Sequence, residues 1–261
     1  MQQTKDKTRL ATISLGLAGL GAMVVSVSLM AAQQIKSGEL KLSVVELYTS
    51  EGCSSCPPAD VFLSKLGNTQ EAAQILPLAF HVDYWDYIGW EDPYAQAMFT
   101  ARQRSVAKRN GQASIYTPEF VVDGAEARGS RKIADKLKAG YNSAAEADIT
   151  LTISDIEDGQ LRASARIDAI NYEGNEQAEV VFVIYENGLS SRIQAGENRG
   201  RTLKHDYVVR YLARAEQTSA GQQHQFSVPL KPEWNVANLG LSVVVKLSES
   251  GRTLQAVKAA L

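Results

Sequence analysis

The sequence predicts two successive architectures: an α/β region over residues 40–146, then an all-β, sandwich-like region over residues 148–261. Strand-like and helix-like runs alternate through the first region, whereas short period-two runs separated by turn signals fill the second. A length of 261 residues with 44% hydrophobic content is enough for two cores.

Within the first region, Leu42–Thr49 is a β-rich run closed by Ser50-Glu51-Gly52. After Pro57-Pro58, the spacing of Val61, Phe62, Lys65 and Leu66 predicts a helix with its lysine at the rim. Leu76–Tyr84 is a second strand. Asp92-Pro93 supplies an N-cap and an N1 proline, so a helix is expected from there to Asn110, with Gly111 at C′. Phe120–Val122 is a short apolar strand and Asp123-Gly124 a tight hairpin turn. Ser130 is expected to cap a last helix carrying Ile133, Ala134 and Leu137. The predicted order is β-α-β-α-β-β-α.

In the second region, apolar residues alternate with polar ones at Ile149/Leu151/Ile153, at Leu161/Ala163/Ala165/Ile167, at Val181/Val183/Tyr185 and at Leu241/Val243/Val245. Asp158-Gly159, Asn187-Gly188 and Ser250-Gly251 separate them as turns. This spacing predicts a β-sandwich of about seven strands.

Residues 1–34 read as a targeting segment. Lys5, Lys7 and Arg9 precede an uncharged, largely apolar stretch from Leu10 to Gln34. Ser28–Ala32 offers no clean small-x-small cleavage site, so an uncleaved membrane anchor stands beside a cleaved signal peptide. Either version exports the folded part to the periplasm or beyond, where disulfides persist. The net charge of −2 argues against a nucleic-acid partner. The basic group Arg102, Arg104, Lys108 and Arg109 fits a solvated helix end.

The only two cysteines form Cys53-Ser54-Ser55-Cys56, placed after a strand and before a helix. Three uses compete. A structural staple closing so short a loop would contribute only about 2 kcal/mol. Zinc or copper would need further ligands, and only His81, His205 and His224 could add nitrogen. Thiol–disulfide exchange needs a thiolate near a helix N-terminus and a second thiol to resolve the mixed disulfide. The third use is favoured. No cofactor is implied.

These motifs resemble the thioredoxin superfamily over residues 42–140. Val44-Val45-Glu46-Leu47-Tyr48-Thr49 resembles the strand before its active site, and Cys53–Cys56 its redox motif. Thr117-Pro118 followed by Glu119–Gly124 resembles its cis-proline turn, next strand and hairpin. More closely, Glu51–Asp60, His81–Asp86 and Tyr116-Thr117-Pro118 resemble a bacterial secreted-protein family of unknown function with a thioredoxin-like fold, over nearly all the mature chain. The resemblance implies a fold and brings no established activity. It implies a thioredoxin-like domain over 40–146, a cis Thr117–Pro118 bond against the disulfide, and Glu46 as a buried acid able to carry a proton. Two departures stand out. Gly52 replaces the aromatic residue before the first cysteine, and Pro57 disfavours the α conformation at Cys56, so the helix is expected to start late.

The combined expectation is an exported thiol–disulfide oxidoreductase acting on a protein or small thiol, with a redox recycling partner. Cys53 is the expected attacking and more exposed thiol, and Cys56 the resolving one. Trp85, Tyr87 and Trp90 form a substrate rim if strands 42–49 and 76–84 are parallel and share an edge; otherwise they pin a loop. His81 is read as a satisfied buried histidine, with metal ligation as the sharper alternative. The polar segment Asn198–Arg201 with Lys204, His205, Asp206 and Arg210 is read as a surface strand or loop. The competing function is a non-catalytic binding or metal-handling module.

Overall fold

A computed structural model describes residues 32–261 of the chain. The expected targeting segment lies outside the described residues, apart from its last positions. Gln33 and Gln34 open strand β1 (Gln33–Lys36). Among the described residues no helix is long and apolar enough to cross a membrane.

Strand β2 (Ser43–Thr49) is buried at every position, because its two faces serve different layers. Val45 and Leu47 pack with Ala59, Leu63, Ile133 and Leu137, whereas Val44 and Tyr48 pack with Phe80, Phe99 and Val106. The first group brings in helices α1 (Pro57–Leu66) and α3 (Ser130–Gly140), and the second brings in α2 (Ala97–Arg109). Strand β3 (Ile75–His81) runs parallel to β2, from Ser43 opposite Ile75 to Thr49 opposite His81, so the carboxyl ends of both strands share an edge. Strand β4 (Glu119–Val122) pairs antiparallel on the other side of β2 and turns through Asp123 (φ 49°) and Gly124 (φ 87°) into β5 (Ala125–Glu126). That two-residue turn with both φ positive is the hairpin the Asp-Gly pair predicts.

Two helix starts differ from expectation. Helix α2 begins at Ala97, not at Pro93: Asp92 closes only a local turn, accepting from Tyr94 N–H, while its other carboxylate oxygen is taken up by Glu51 N–H and His81. Helix α1 begins directly at Pro57, with Cys56 in the α conformation. There the missing proline N–H costs nothing, and the Cys56 carbonyl accepts from Ala59 and Asp60 N–H at 2.8 and 3.1 Å. The cap before α3 is Gly129 (φ 84°), and Ser130 is the first helical residue.

Past residue 146 come β6 (Ala147–Glu157), β7 (Gln160–Ile170), β8 (Ala178–Glu186), β9 (Leu189–Arg192), β10 (Thr202–His205), β11 (Val208–Thr218), β12 (Gln223–Pro229), β13 (Leu239–Leu247) and β14 (Thr253–Ala260). β1, β6, β7 and β12 form one sheet, β9 and β10 a short ribbon, and the rest join the earlier strands in the order β14-β13-β8-β11-β3-β2-β4-β5.

This corrects the predicted fold class, an α/β thioredoxin-like domain followed by a separate all-β sandwich. The described chain is dominated by strands, fourteen against three α-helices. Its largest sheet is a single eight-stranded one that draws on both regions. The physical reason lies in β8 and β11. β11 adds parallel to β3, with Val208 opposite Ala79, and so extends the first sheet. In β8, Val180, Phe182 and Ile184 face the sandwich core under β6 and β7, while Val181, Val183 and Tyr185 face the layer of Phe80 and Phe99. A strand apolar on both faces belongs in the interior of a covered sheet.

Candidate functional site

Cys53 and Cys56 form a disulfide in the loop from the carboxyl end of β2 into α1. Cys53 N–H donates to the Ser50 carbonyl and Cys56 N–H to the Cys53 carbonyl, both at 3.2 Å, so the loop is a tight turn. The Ser55 hydroxyl lies 3.4 Å from Cys53 Sγ. Contrary to the expectation of a more exposed Cys53, both cysteines are 0% exposed.

A distant segment makes the cover. Asn198, in the connection between β9 and β10, donates from Nδ2 to the carbonyls of Glu51 (2.8 Å) and Cys53 (3.0 Å). Ser54 N–H donates to Glu197 Oε2 at 3.0 Å, and the Ser54 hydroxyl first, with this N–H second, holds that carboxyl below its ordinary pKa. Arg201 Nη1 holds Asn198 Oδ1 at 2.7 Å. On the other side, Trp85 closes against Gly52, where a Cβ would stand 2.9 Å from Trp85 Cβ and 3.3 Å from its carbonyl oxygen. Gly52 therefore stands where the 85–88 segment passes too close for a side chain.

The expected rim residues are gathered here but differ in role. Trp85 Nε1 donates to Thr117 Oγ1 at 2.7 Å, and Trp90 Nε1 to Glu51 Oε2 at 2.8 Å, so both are tied down. Tyr87 is 83% exposed. The Thr117–Pro118 bond is cis, and Thr117 reaches the cysteine loop through Trp85.

Below the loop lies a buried polar cluster. His205 Nε2 and Glu51 Oε1 are 3.0 Å apart, and His205 Nδ1 is 3.7 Å from Asp60 Oδ2. Thr49 Oγ1 donates to Asp60 Oδ1 at 2.8 Å. His81 Nδ1 pairs with Asp92 Oδ2 at 2.7 Å, and the rings of His81 and His205 meet edge to face at 4.9 Å. Asp92 also accepts from the N–H groups of Glu51 and Tyr94. Burial would lower the His81 pKa, but Asp92, with Asp60 and Glu51, raises it; burial would raise the Asp92 pKa, but His81 and the N–H groups of Glu51 and Tyr94 hold it low. Both shifts favour the charged forms of the pair. Asp60 behaves oppositely. Burial dominates over the attraction of His205 and His81 and pushes its carboxyl up. Asp60 Oδ2 and His205 Nδ1 are both buried without a hydrogen-bond partner, a pairing that a protonated Asp60 carboxyl would relieve.

Glu46 does not belong to this cluster. Its side chain leaves the β2 face opposite α1 and takes a bidentate grip from Arg102, at 2.6 and 3.2 Å, with the Tyr48 hydroxyl donating at 2.7 Å. Burial would raise its pKa, but Arg102, Lys246 and Tyr48 together lower it. Its place on the strand is decisive, since side chains alternate between faces and Val45 and Leu47, not Glu46, face α1.

Asp60, Glu51, Asn198 and the inward role of His205 were not singled out by sequence reasoning, which put Asn198 and His205 at the surface. For His205 a signal existed. In β10, Thr202 and Lys204 are exposed while Leu203 and His205 are buried, an alternation that makes the histidine an inward residue. Among the described residues no group of three or more His, Cys, Asp or Glu is arranged to hold a metal ion. His81 is buried and paired with Asp92.

The profile of a family described as "Protein of unknown function (DUF1223)" matches residues 44–246, a span that includes the cysteine loop and its cover. No curated protein sequence matches the chain. Two solved structures share its architecture. Protein AGR_C_4864 from Agrobacterium tumefaciens superposes with a TM-score of 0.58 at 24% identity, over 85% of this chain and 95% of that one. HBP35 of Porphyromonas gingivalis superposes with a TM-score of 0.61 at 15% identity, over 86% and 76% respectively. Both likenesses concern the fold alone.

Proposed function

The chain belongs to this DUF1223 family of unknown function, and we propose that it is an exported thiol–disulfide oxidoreductase working through Cys53 and Cys56 on a protein or small thiol. The observation that carries the proposal is the disulfide at a strand–helix junction, with a buried acid of raised pKa in the first turn of the helix that follows it. The Cys-x-x-Cys motif itself resembles the redox motifs of the thioredoxin superfamily, and the chemistry is argued from that motif.

In the oxidising direction a substrate thiolate attacks Cys53 Sγ. The Cys53–Cys56 bond breaks and its electron pair leaves on Cys56. A second substrate thiolate then attacks the substrate sulfur of the mixed disulfide and releases Cys53 as a thiolate beside the Ser55 hydroxyl. The substrate leaves oxidised and the pair reduced, until a recycling partner restores it; the reducing direction is the reverse. Asp60 takes the proton role that sequence reasoning gave to Glu46. It lies one helical turn after Cys56 on the same face of α1 and is 6% exposed, and its raised pKa suits delivery of a proton to the departing Cys56 thiolate. Trp85, Tyr87 and Trp90 border the entry, with Tyr87 the ring free to meet a substrate.

A redox titration of the full protein with a thiol buffer, read by alkylation, tests this. Reversible exchange with a midpoint in the range of an exported compartment is expected, with loss of exchange in Cys53→Ser. In Asp60→Asn the pH dependence of exchange should flatten while Glu46→Gln leaves it unchanged. A pair that stays oxidised against every buffer until the protein unfolds refutes the enzyme. The complete burial of both cysteines favours that second reading, a closed structural bridge in a binding module.

A further inference from the structure

Away from the cysteines, helix α2 and the eight-stranded sheet enclose a cleft of about 210 Å³. Arg102 and Arg109 enter it from α2, Arg214 from β11 and Lys246 from β13, with the exposed Ser105 between the two α2 arginines. Residues 98, 102, 105 and 109 follow the helical period, so one face of α2 forms one wall. Met98 and Leu212 give the cleft an apolar side. Among the described residues no acidic side chain lines it.

Two acids lie behind this lining and are already engaged. Glu46 is held by Arg102, and Glu179 lies 3.2 Å from Lys246 and 3.5 Å from Arg214. The lining itself thus presents four cationic side chains and, among the described residues, no carboxylate. Arg109 Nε is buried without a hydrogen-bond partner, its guanidinium packed over Gly251, where a Cβ would stand 3.0 Å from Nε. Lys246 feels the crowding. Burial, Arg102 and Arg109 depress its pKa to about 8, against the pull of Glu46 and Glu179.

We propose that this cleft binds a small phosphate-type oxyanion, free or as the monoester of a small organic group, between Arg109, Lys246 and Arg214, with any apolar part against Met98 and Leu212. Guanidinium groups are suited to such oxygens because they donate in a planar fork. The volume restricts the organic part to a few carbons, since pockets for drug-sized ligands begin near about 300 Å³. None of these residues touches the cysteine loop, so the site stands whether or not the thiol chemistry does.

The test is titration of the full protein with inorganic phosphate and, separately, phenyl phosphate, against chloride at matched ionic strength. Thermal unfolding and calorimetry are the readouts. A saturable rise in Tm beyond that of chloride is expected, with affinity falling about tenfold or more in Arg109→Gln. Tighter binding of phenyl phosphate identifies an ester as the ligand type, and tighter binding of phosphate the free ion. If Arg109→Gln folds poorly, Ser105→Glu places a carboxylate at an exposed position of the cleft and should abolish binding. The Lys246 ammonium, followed by NMR, should titrate above about 8 once phosphate is bound. Equal effects of phosphate and chloride, or an unchanged affinity in the folded variants with a static Lys246, would overturn the proposal.

Discussion

Asn198→Ala should expose the disulfide without changing the residues that form it. In the native protein the Asn198 amide satisfies two carbonyls, Glu51 O at 2.8 Å and Cys53 O at 3.0 Å, and is itself 1% exposed. Each such bond is worth about 0.5–1.5 kcal/mol net, and a carbonyl left buried without a donor costs about 1–3 kcal/mol. When the 193–201 segment lifts, water reaches both carbonyls, so the penalty falls on the closed state alone. The closed–open gap should therefore shrink by about 1–3 kcal/mol, which converts to a roughly 5- to 150-fold larger open population. The Ser54–Glu197 bond remains and keeps the open form a minority. The assay is the pseudo-first-order rate of disulfide reduction by dithiothreitol, read by mass after alkylation, under native conditions and well below the unfolding midpoint. If opening precedes attack, the rate should rise by that same factor, and the global unfolding free energy should fall by the same about 1–3 kcal/mol. A folded Asn198→Ala protein whose disulfide is reduced at the wild-type rate would refute the idea that this segment controls access.

Three further outcomes follow from the same geometry. Gly52→Ala should destabilise the protein by about 1–3 kcal/mol in urea unfolding, because its Cβ would meet Trp85 Cβ at 2.9 Å; a neutral result would mean that the 84–94 segment yields readily. Glu46→Gln leaves Arg102 buried without its carboxylate and should cost about 3 kcal/mol at neutral pH. Because the folded pKa of Glu46 is lowered, the stability it contributes is present above its ordinary value of 4.5 and is lost as pH falls through the depressed folded value. The wild-type and Glu46→Gln stabilities should thus converge on acidification, and a constant difference would be incompatible with that ion pair. Asp60, whose folded pKa is raised, has the opposite sign: its contribution is complete at low pH and lost as pH rises through the folded value, so Asp60→Asn should lose less stability than wild type between acid and neutral pH.

Local chemistry was legible in the sequence wherever a residue's role depends on near neighbours. The Asp-Gly hairpin at 123–124 formed as its residue types require, and Gly111 (φ 67°) follows the end of α2. The position of Cys53 and Cys56 between a strand and a helix was also legible, because period-two runs and turn residues act over a few positions, whereas the parallel pairing of β2 with β3 was only a condition in the sequence and is supplied by the structure. The joining of the two regions into one sheet was not. It depends on β11 meeting β3 from 129 positions away, and no local pattern records which edge a strand will extend. The proton role proposed for Asp60 was not legible for a related reason. Glu46 and Asp60 both lie near the motif in sequence, and only the pleat of β2 and the winding of α1 decide that Glu46 meets Arg102 while Asp60 meets Thr49 and His205. Asn198 reads as a surface polar residue until its amide is found on the cysteine loop, 145 residues upstream of it. Sequence determined the cysteine pair and its place between strand and helix; tertiary structure decided its neighbours, because burial and hydrogen-bond partners are set by chain segments that meet only after folding.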